Sequence, residues 1–174
     1  MTCGSARASE RVAYLLDINV LIARSDPWHE FHAPVKEWLG EAAGESLLLC
    51  PTAENAFLRI LGHPDYPDGP GTPARALDAL AALRRLPGAA FIPEDVSISD
   101  RTLFNDISTV TSRQLTDVYL LGLAVSRGAK LVTTDRRMHR ALTPGTVPAA
   151  SMPGAPRPRA ARLKRAEDLV IAGA

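Results

Sequence analysis

The sequence predicts an α/β fold in which a mostly parallel sheet is covered by helices on both faces. Short, wholly apolar segments that suit buried strands alternate along the chain with longer segments whose apolar residues recur at helical spacing. Glycine or proline follows most of these segments. With 174 residues, 46% of them apolar, and a mean hydropathy of -0.01, the chain is long enough for one domain with a substantial core.

The first part of the chain contains the elements that begin the alternation. We predict, in order, a strand over 12–16, a helix over 18–23, a helix over 31–43, a strand over 46–50 and a helix over 52–61. Asp17 stands between the first strand and the first helix, where its oxygens can accept hydrogen bonds from free backbone N–H groups as an N-cap. Gly62 is the expected C-cap of the last of these helices.

The remainder of the chain continues the pattern after a loop over 63–72 that is rich in proline, glycine and aspartate. Thr116 is the expected N-cap of a strong helix that Gly128 closes. We predict, in order, a helix over 73–86, a strand over 89–92, a looser helix over 99–108, a helix over 115–127, a strand over 130–134, a short helix over 135–142 and a last edge strand over 168–172.

Composition also predicts the domain organisation. Residues 1–11 form a polar segment that we expect to be a flexible leader. Residues 12–174 then form a single domain, interrupted at about 144–165 by a segment rich in proline, glycine, alanine and arginine that is typical of an insertion or linker.

The charge balance limits the possible partners and location. Twenty basic and 19 acidic residues leave a net charge of +1, which excludes binding to polyanions by bulk charge. The longest uncharged apolar stretch, residues 118–125, is far shorter than the roughly 20 residues of a membrane span. Two cysteines provide no disulfide framework, and no signal-peptide core is evident. We therefore expect a cytoplasmic protein without a membrane partner.

Four acidic residues occupy strand ends or helix starts. Asp17 follows the first strand, Glu54 and Asp117 lie in first helical turns, and Asp135 follows the fourth strand. Ligands of open parallel sheets bind at the carboxyl ends of the strands, near the point where strand order reverses. Taken singly, the aspartates are more often helix caps and Glu54 is more often a solvated helix residue.

The combination of acids favours a cation among them. Two carboxylates about 4 Å apart repel by roughly 4 kcal/mol at an effective dielectric constant near 20, so converging acids are costly without a counter-ion. Oxygen ligands favour Mg²⁺ or Mn²⁺, which act on phosphate esters by polarising oxygen and activating water. This reasoning indicates a metal-dependent phosphoryl hydrolase and leaves the substrate open.

Four segments carry a resemblance to a known family. They are YLLDINVLI at 14–22, CPTAENAFLRIL at 50–61, LTDVYLLGLA at 115–124 and KLVTTDRR at 130–137. In this order they resemble the acidic blocks of PIN-domain ribonucleases, specifically the VapC-type toxins of bacterial toxin–antitoxin pairs. The blocks cover about residues 12–142. The resemblance implies a PIN-like three-layer sandwich with a roughly five-stranded sheet.

The resemblance also implies roles for individual residues. Asp17 and Asp117 would bind the metal, and Asp135 would complete the acidic cluster, directly or through water. Glu54 would be the fourth acid of the catalytic set, as a ligand or as the group that orients the attacking water. The supporting polar residues would be Asn19 and Thr133. The implied reaction is hydrolysis of an RNA phosphodiester that leaves a 5′-phosphate and a 3′-hydroxyl.

The implied cofactor is Mg²⁺, with Mn²⁺ as the alternative. The implied partners are an RNA substrate, a second copy of the chain in a homodimer, and a cognate VapB-type antitoxin whose tail covers the groove. Binding RNA requires local positive charge. The arginines near the acidic blocks are the candidates, although solvated arginines on helix faces are an equally good interpretation of each: Arg59, Arg113, Arg136, Arg137 and Arg140.

Two other functions stay open at this stage. The chain could be a catalytically silent PIN scaffold that binds only RNA or antitoxin, although a binding module has no reason to keep four mutually repelling carboxylates. A DNA-directed nuclease would use the same metal chemistry. Dinucleotide-binding domains are excluded because no glycine follows the first strand, and haloacid-dehalogenase-type phosphatases because Asn19 stands where a second aspartate is needed.

Overall fold

A five-stranded parallel sheet forms the centre of the molecule. The computed structural model describes residues 11–104, 107–108 and 110–135, together with the backbone of 150–151. The strands are β1 (Ala13–Leu16), β2 (Ser46–Leu49), β3 (Ala89–Phe91), β4 (Lys130–Thr133) and β5 (Ala150–Ser151), in the spatial order β3-β2-β1-β4-β5. All four pairings are parallel, which confirms the predicted sheet.

Five helices connect the strands within the described ranges. They are α1 (Ile18–Ser25), α2 (His32–Glu41), α3 (Pro51–Leu61), α4 (Pro73–Arg84) and α5 (Leu115–Ser126). The chain proceeds from β1 to β2 and β3 on one side, and then crosses to β4 on the other side of β1. Because such crossovers are right-handed, α1 to α4 lie on one face of the sheet and α5 lies on the other.

Burial along the central strands shows that both faces of the sheet are covered. Neighbouring residues of a strand point to opposite faces. In β1, Leu15 and Leu16 are both buried, and the same is true of Leu131 and Val132 in β4. Each such leucine or valine contributes roughly 1.5–3 kcal/mol relative to an exposed position, so these strands are stable only inside a sandwich of helices.

Strand register brings the ends of β1 and β4 together. Leu16 is paired with Val132, and the backbone N–H of Asp17 donates to the carbonyl of Val132 at 3.0 Å. The next residues along the two strands, Asp17 and Thr133, are therefore neighbours. The strand order reverses between β1 and β4, so this corner is the position at which parallel sheets bind ligands.

Several predicted elements differ in detail from the observed ones. Residues 97–104 form turns, in which Asp100 N donates to Ser97 O and Phe104 N donates to Asp100 O, so the looser helix predicted over 99–108 is wrong for these residues. The N-cap of α5 is Gln114, and the prediction of Thr116 is wrong. Thr111 donates through its N–H and its hydroxyl to Oε1 of Gln114, and this turn starts the helix earlier.

The C-terminal part of the sheet also departs from expectation. The fifth strand lies at Ala150–Ser151, inside the segment whose composition predicts an insertion or linker. The predicted leader up to residue 10, most of the short helix over 135–142 and the edge strand over 168–172 lie outside the described residues. In the part of the chain that the structure describes, every helix is too short or too polar to cross a membrane.

Candidate active site

The buried carboxylate of Asp17 is the centre of the corner between β1 and β4. Only 1% of the residue is exposed. Its Oδ1 accepts a hydrogen bond from the backbone N–H of Ile18 at 2.7 Å, which confirms Asp17 as the N-cap of α1. Its Oδ2 accepts from the hydroxyl of Thr133 at 2.7 Å and from the side-chain amide of Asn19 at 3.3 Å. The structure thus brings together Asp17 and the two predicted supporting residues.

Thr133 links this carboxylate to Asp135. While its hydroxyl donates to Asp17, its oxygen accepts from the backbone N–H of Asp135 at 3.0 Å. Thr133 is itself 3% exposed, so both hydrogen bonds are shielded from water. A single buried hydroxyl therefore orients one acid directly and positions the backbone of the second.

Burial and a neighbouring charge act on Asp17 in the same direction. Desolvation of the buried carboxylate raises its pKa above the usual value, and the charge of Asp135 raises it further, while the hydrogen bonds from Thr133, Ile18 and Asn19 oppose the shift. Among the described residues, no lysine or arginine forms an ion pair with Asp17. Within the described residues, the donors to the Asp17 carboxylate are thus neutral, and a cation would be attracted to it.

Glu54 lies in the first turn of α3 and is paired with a different group. Its side chain, 11% exposed, receives a bidentate hydrogen bond from Arg84 at the end of α4. Arg84 Nε donates to Oε1 at 2.7 Å and Nη2 donates to Oε2 at 2.6 Å. Both carboxylate oxygens are engaged by one guanidinium, so Glu54 is not part of the hydrogen-bonded group around Asp17.

The start of α3 is positioned by a second acid from a distant segment. The carboxylate of Glu94, just beyond β3, accepts from the N–H of Thr52 at 2.8 Å and from its hydroxyl at 3.0 Å. Cys50, the N-cap residue, makes no side-chain capping bond of its own. Glu94 therefore satisfies a free amide at the positive end of the helix, and it fixes the first turn that carries Glu54.

The other predicted site residues that the structure describes lie on α3 and at the start of α5. Asp117 is half-buried in the first turn of α5, a helix that packs on β1 and β4. Of the predicted RNA-binding arginines, Arg59 is exposed in the last turn of α3 and Arg113 is exposed just before α5. The remaining candidates, Arg136, Arg137 and Arg140, lie outside the described residues.

The donor set of the corner fits a hard divalent cation. Mg²⁺ is usually held in proteins by one or two carboxylates and keeps several waters. Asp17 and Asp135 would offer such an ion carboxylate oxygens. Cys50, which follows β2 beside Asp17, remains a neutral thiol because burial raises its pKa to about 12. Across the described ranges, no group of three or more histidine, cysteine, aspartate or glutamate side chains is arranged to hold a metal ion.

Arg84 is the residue of this region that sequence reasoning missed. The available signal was the spacing of α4, where Ala76 and Leu80 are buried and Arg84 follows at the next i+4 position on the same face. A charged residue that continues a buried stripe needs a buried partner of opposite charge. The sequence offered no way to identify that partner as Glu54, which is 30 residues away in the chain.

Comparison with known proteins places this geometry in a family context. The sequence profile described as the PIN domain matches residues 14–142. Ribonuclease VapC39 of Mycobacterium tuberculosis is 32% identical over 133 residues, which cover 76% of this chain and 96% of that protein. Ribonuclease VapC38 of the same organism is 38% identical over 123 residues, which cover 70% of this chain and 84% of that protein.

A third curated relative and one solved structure agree with these matches. Ribonuclease VapC44 of Mycobacterium tuberculosis is 33% identical over 131 residues, which cover 75% of this chain and 92% of that protein. The crystal structure of VapC20 from Mycobacterium tuberculosis, described as a sarcin-ricin loop cleaving toxin, is similar in fold with a TM-score of 0.55. It is 12% identical in sequence and the match covers 78% of this chain and 97% of that one.

Proposed function

Because the chain belongs to the PIN domain family and, within it, to the VapC-type ribonucleases, we propose that it is a toxin that cleaves RNA as a Mg²⁺-dependent endoribonuclease. The observation that carries the proposal is the buried Asp17 carboxylate beside Asp135 at the reversal of strand order. A buried acid with neutral partners and a second acid nearby suits a site that acquires a divalent cation for function.

The chemistry follows from this corner. A bound Mg²⁺ would polarise a phosphate oxygen and make water a better nucleophile. Asp17 and Asp135 would bind the ion, with Asp117 as a further acid of the same site, and Thr133 and Asn19 would keep the Asp17 carboxylate oriented. The oxygen of water attacks phosphorus, the bond from phosphorus to the 3′ oxygen breaks, and that oxygen takes a proton. The products are a 5′-phosphate and a 3′-hydroxyl.

RNA would be held by local positive charge, because the net charge of +1 is too small to attract a polyanion as a whole. Arg59 and Arg113 are exposed and are the candidates for phosphate contacts among the described residues. Trp28, 83% exposed in the loop after α1, offers an aromatic face on which a base could stack. Phosphate contacts and base stacking do not distinguish one base from another. The RNA sequence that is cleaved must therefore be measured.

The same proposal includes partners and location. A cognate VapB-type antitoxin would neutralise the toxin by covering the acidic corner, and a second copy of the chain would complete a homodimer. We expect the protein in the cytoplasm, where it would meet an RNA substrate and the antitoxin. The antitoxin is expected to compete with RNA for the same groove, since both must approach the carboxyl edge of the sheet.

Growth on induced expression tests the toxin activity directly. We expect growth arrest and new RNA ends with the wild type, and neither effect with Asp17→Ala or Asp117→Ala at matched protein levels. Asp78→Asn, an exposed acid on α4, is the matched control and should behave as the wild type does. Co-expression of the antitoxin should restore growth.

Purified protein separates the alternatives. The wild type should cleave RNA in Mg²⁺ or Mn²⁺, stop after chelation by EDTA, and resume when the metal is returned. Cleavage of DNA with RNA left intact would instead indicate a DNA-directed nuclease. A folded, antitoxin-free wild type that leaves RNA intact with metal present would overturn the proposal in favour of a silent binding scaffold.

A further inference from the structure

Glu54 and Arg84 form a strong bidentate ion pair. Both oxygens of Glu54 accept from a single guanidinium, at 2.7 and 2.6 Å. Such bidentate pairs are stronger and more directional than single charged hydrogen bonds. Glu54 sits 11% exposed at the start of α3, so an unpaired carboxylate there would lose most of its hydration without compensation.

Arg84 is fixed by more than its charge. It follows the buried residues Ala76 and Leu80 on one face of α4, which packs against α3. Its guanidinium carbon lies 4.9 Å from the centre of the Phe91 ring at the end of β3, a cation–π distance. The ring and the carboxylate thus both contact the guanidinium, although 49% of the arginine side chain is exposed.

Without Arg84, the charge of Glu54 would be close enough to Asp17 to affect a cation bound there. Leu15 is paired with Leu48, so Asp17 lies across from Cys50, two residues further along each strand. The N–H of Glu54 donates to the carbonyl of Cys50, which places Glu54 one helical turn above that position. Two carboxylates, those of Asp17 and Asp135, already repel one another there. A third free charge would increase the repulsion and attract a cation more strongly.

We propose that Arg84 is a positioning residue that holds Glu54 away from the metal, so that a divalent cation binds at Asp17 and Asp135 without Glu54 as a ligand. This inference rests on the proposed metal-dependent function and refines it. The chain itself thus neutralises Glu54, whereas Asp17 would share its charge with the cation. Glu54 then contributes through the rigid α3–α4 contact beside the site.

Titration of the purified, antitoxin-free chain with Mn²⁺ by calorimetry tests this arrangement. Glu54→Gln leaves the Arg84 charge unpaired near the ion, so it should weaken Mn²⁺ binding by no more than about threefold to tenfold. Arg84→Gln should tighten Mn²⁺ binding by about threefold to tenfold, since it releases a negative charge close to the ion. The double variant, which lacks both charges, should return to the wild-type affinity. A merely structural role of Arg84 would weaken binding or leave it unchanged.

Two further variants keep the test decisive. Arg85→Gln changes the neighbouring exposed arginine and should leave the Mn²⁺ affinity unchanged. If Arg84→Gln does not fold, as judged by circular dichroism, Arg84→Lys takes its place. Lysine keeps the charge but lacks the planar fork, so a smaller tightening of Mn²⁺ binding is expected.

The failing outcomes are distinguishable. If the wild type binds Mn²⁺ and the double variant binds it about tenfold or more weakly, Glu54 is a ligand and only the present inference is overturned. Failure of Arg84→Gln, or of its lysine substitute, to tighten binding also overturns it. If the wild type binds no Mn²⁺ at about 10 mM, the metal chemistry of the proposed function fails, and this inference fails with it.

Discussion

Asp17 and Glu54 are buried carboxylates at the same edge of the sheet, yet their surroundings differ in kind. Asp17 accepts hydrogen bonds from a backbone amide, a side-chain amide and a hydroxyl. Glu54 accepts two from a guanidinium. Within the described residues, the charge of Asp17 therefore meets only neutral donors, whereas that of Glu54 is paired with a guanidinium. Two acids of similar burial and position in the fold can thus differ in the charge of the groups that bind them.

The difference also appears in the effect of each acid on stability. Burial and Asp135 raise the pKa of Asp17, so the ionised form of Asp17 costs free energy in the folded protein when no cation is bound. The attraction of Arg84 offsets the desolvation of the Glu54 carboxylate. Solvent weakens this attraction, because the arginine side chain is 49% exposed. The fold thus accepts the electrostatic cost of a buried charge at Asp17 and lowers that cost at Glu54. This difference is expected if Asp17 has the functional use.

The largest expected effect separates the two acids by activity. Asp17→Asn should lower kcat/KM for RNA by at least about 10³-fold, because it removes a charge that helps to hold the ion that stabilises the transition state. Its melting temperature without metal should match or exceed that of the wild type. Steady-state cleavage and a thermal melt are sufficient measurements. Retained cleavage by this variant would remove Asp17 from the catalytic set.

Thr133 should show the next largest effect, because its hydroxyl serves both Asp17 and Asp135. We expect Thr133→Val to reduce activity by about 10- to 100-fold, the usual cost of losing a group that orients a metal ligand. Unfolding in urea should show a loss of about 1–3 kcal/mol from the unsatisfied buried partners. Thr134→Val, one residue further along, is the control. Equal behaviour of the two variants would contradict the role of the buried hydroxyl.

Breaking the Glu54–Arg84 pair should reduce stability by a smaller amount. Glu54→Gln leaves the arginine without its charged partner, and we expect a loss of about 1–2 kcal/mol after allowing for the exposure of Arg84. Chemical denaturation measures it, and the double variant with Arg84→Gln should lose less than the sum of the single variants. Additive losses would show that the two residues do not interact in solution.

Phe91 should have the smallest effect. Removing its ring with Phe91→Leu keeps an apolar side chain on β3 but ends the contact with the guanidinium, and we expect a loss of about 0.5–1 kcal/mol. In an Arg84→Gln background the cation–π contact is already absent, so Phe91→Leu should then cause a smaller loss of stability. A loss in that background equal to the original one would assign the effect to packing of β3 alone.

Much of this fold is encoded in local sequence. Buried parallel strands are wholly apolar, so β1, β2, β3 and β4 lie within one residue of the predicted segments at each end. Asp17 was predicted as an N-cap because an aspartate between a strand and a helix has a short-range reason to be there. Local rules were insufficient where a neighbouring turn competes, as at Gln114, which precedes the predicted cap Thr116.

The sequence by itself determined the alternation of strands and helices, the strand ends at which acids occur and the family to which those acids belong. Only the tertiary structure decided which carboxylates share a corner and which one is neutralised. Strand register places Thr133 beside Asp17, 116 residues away, and helix packing brings Arg84 to Glu54. The physical reason is that propensity and hydrophobic period act over a few residues, whereas the charge state of a buried acid depends on groups that meet only when the chain folds.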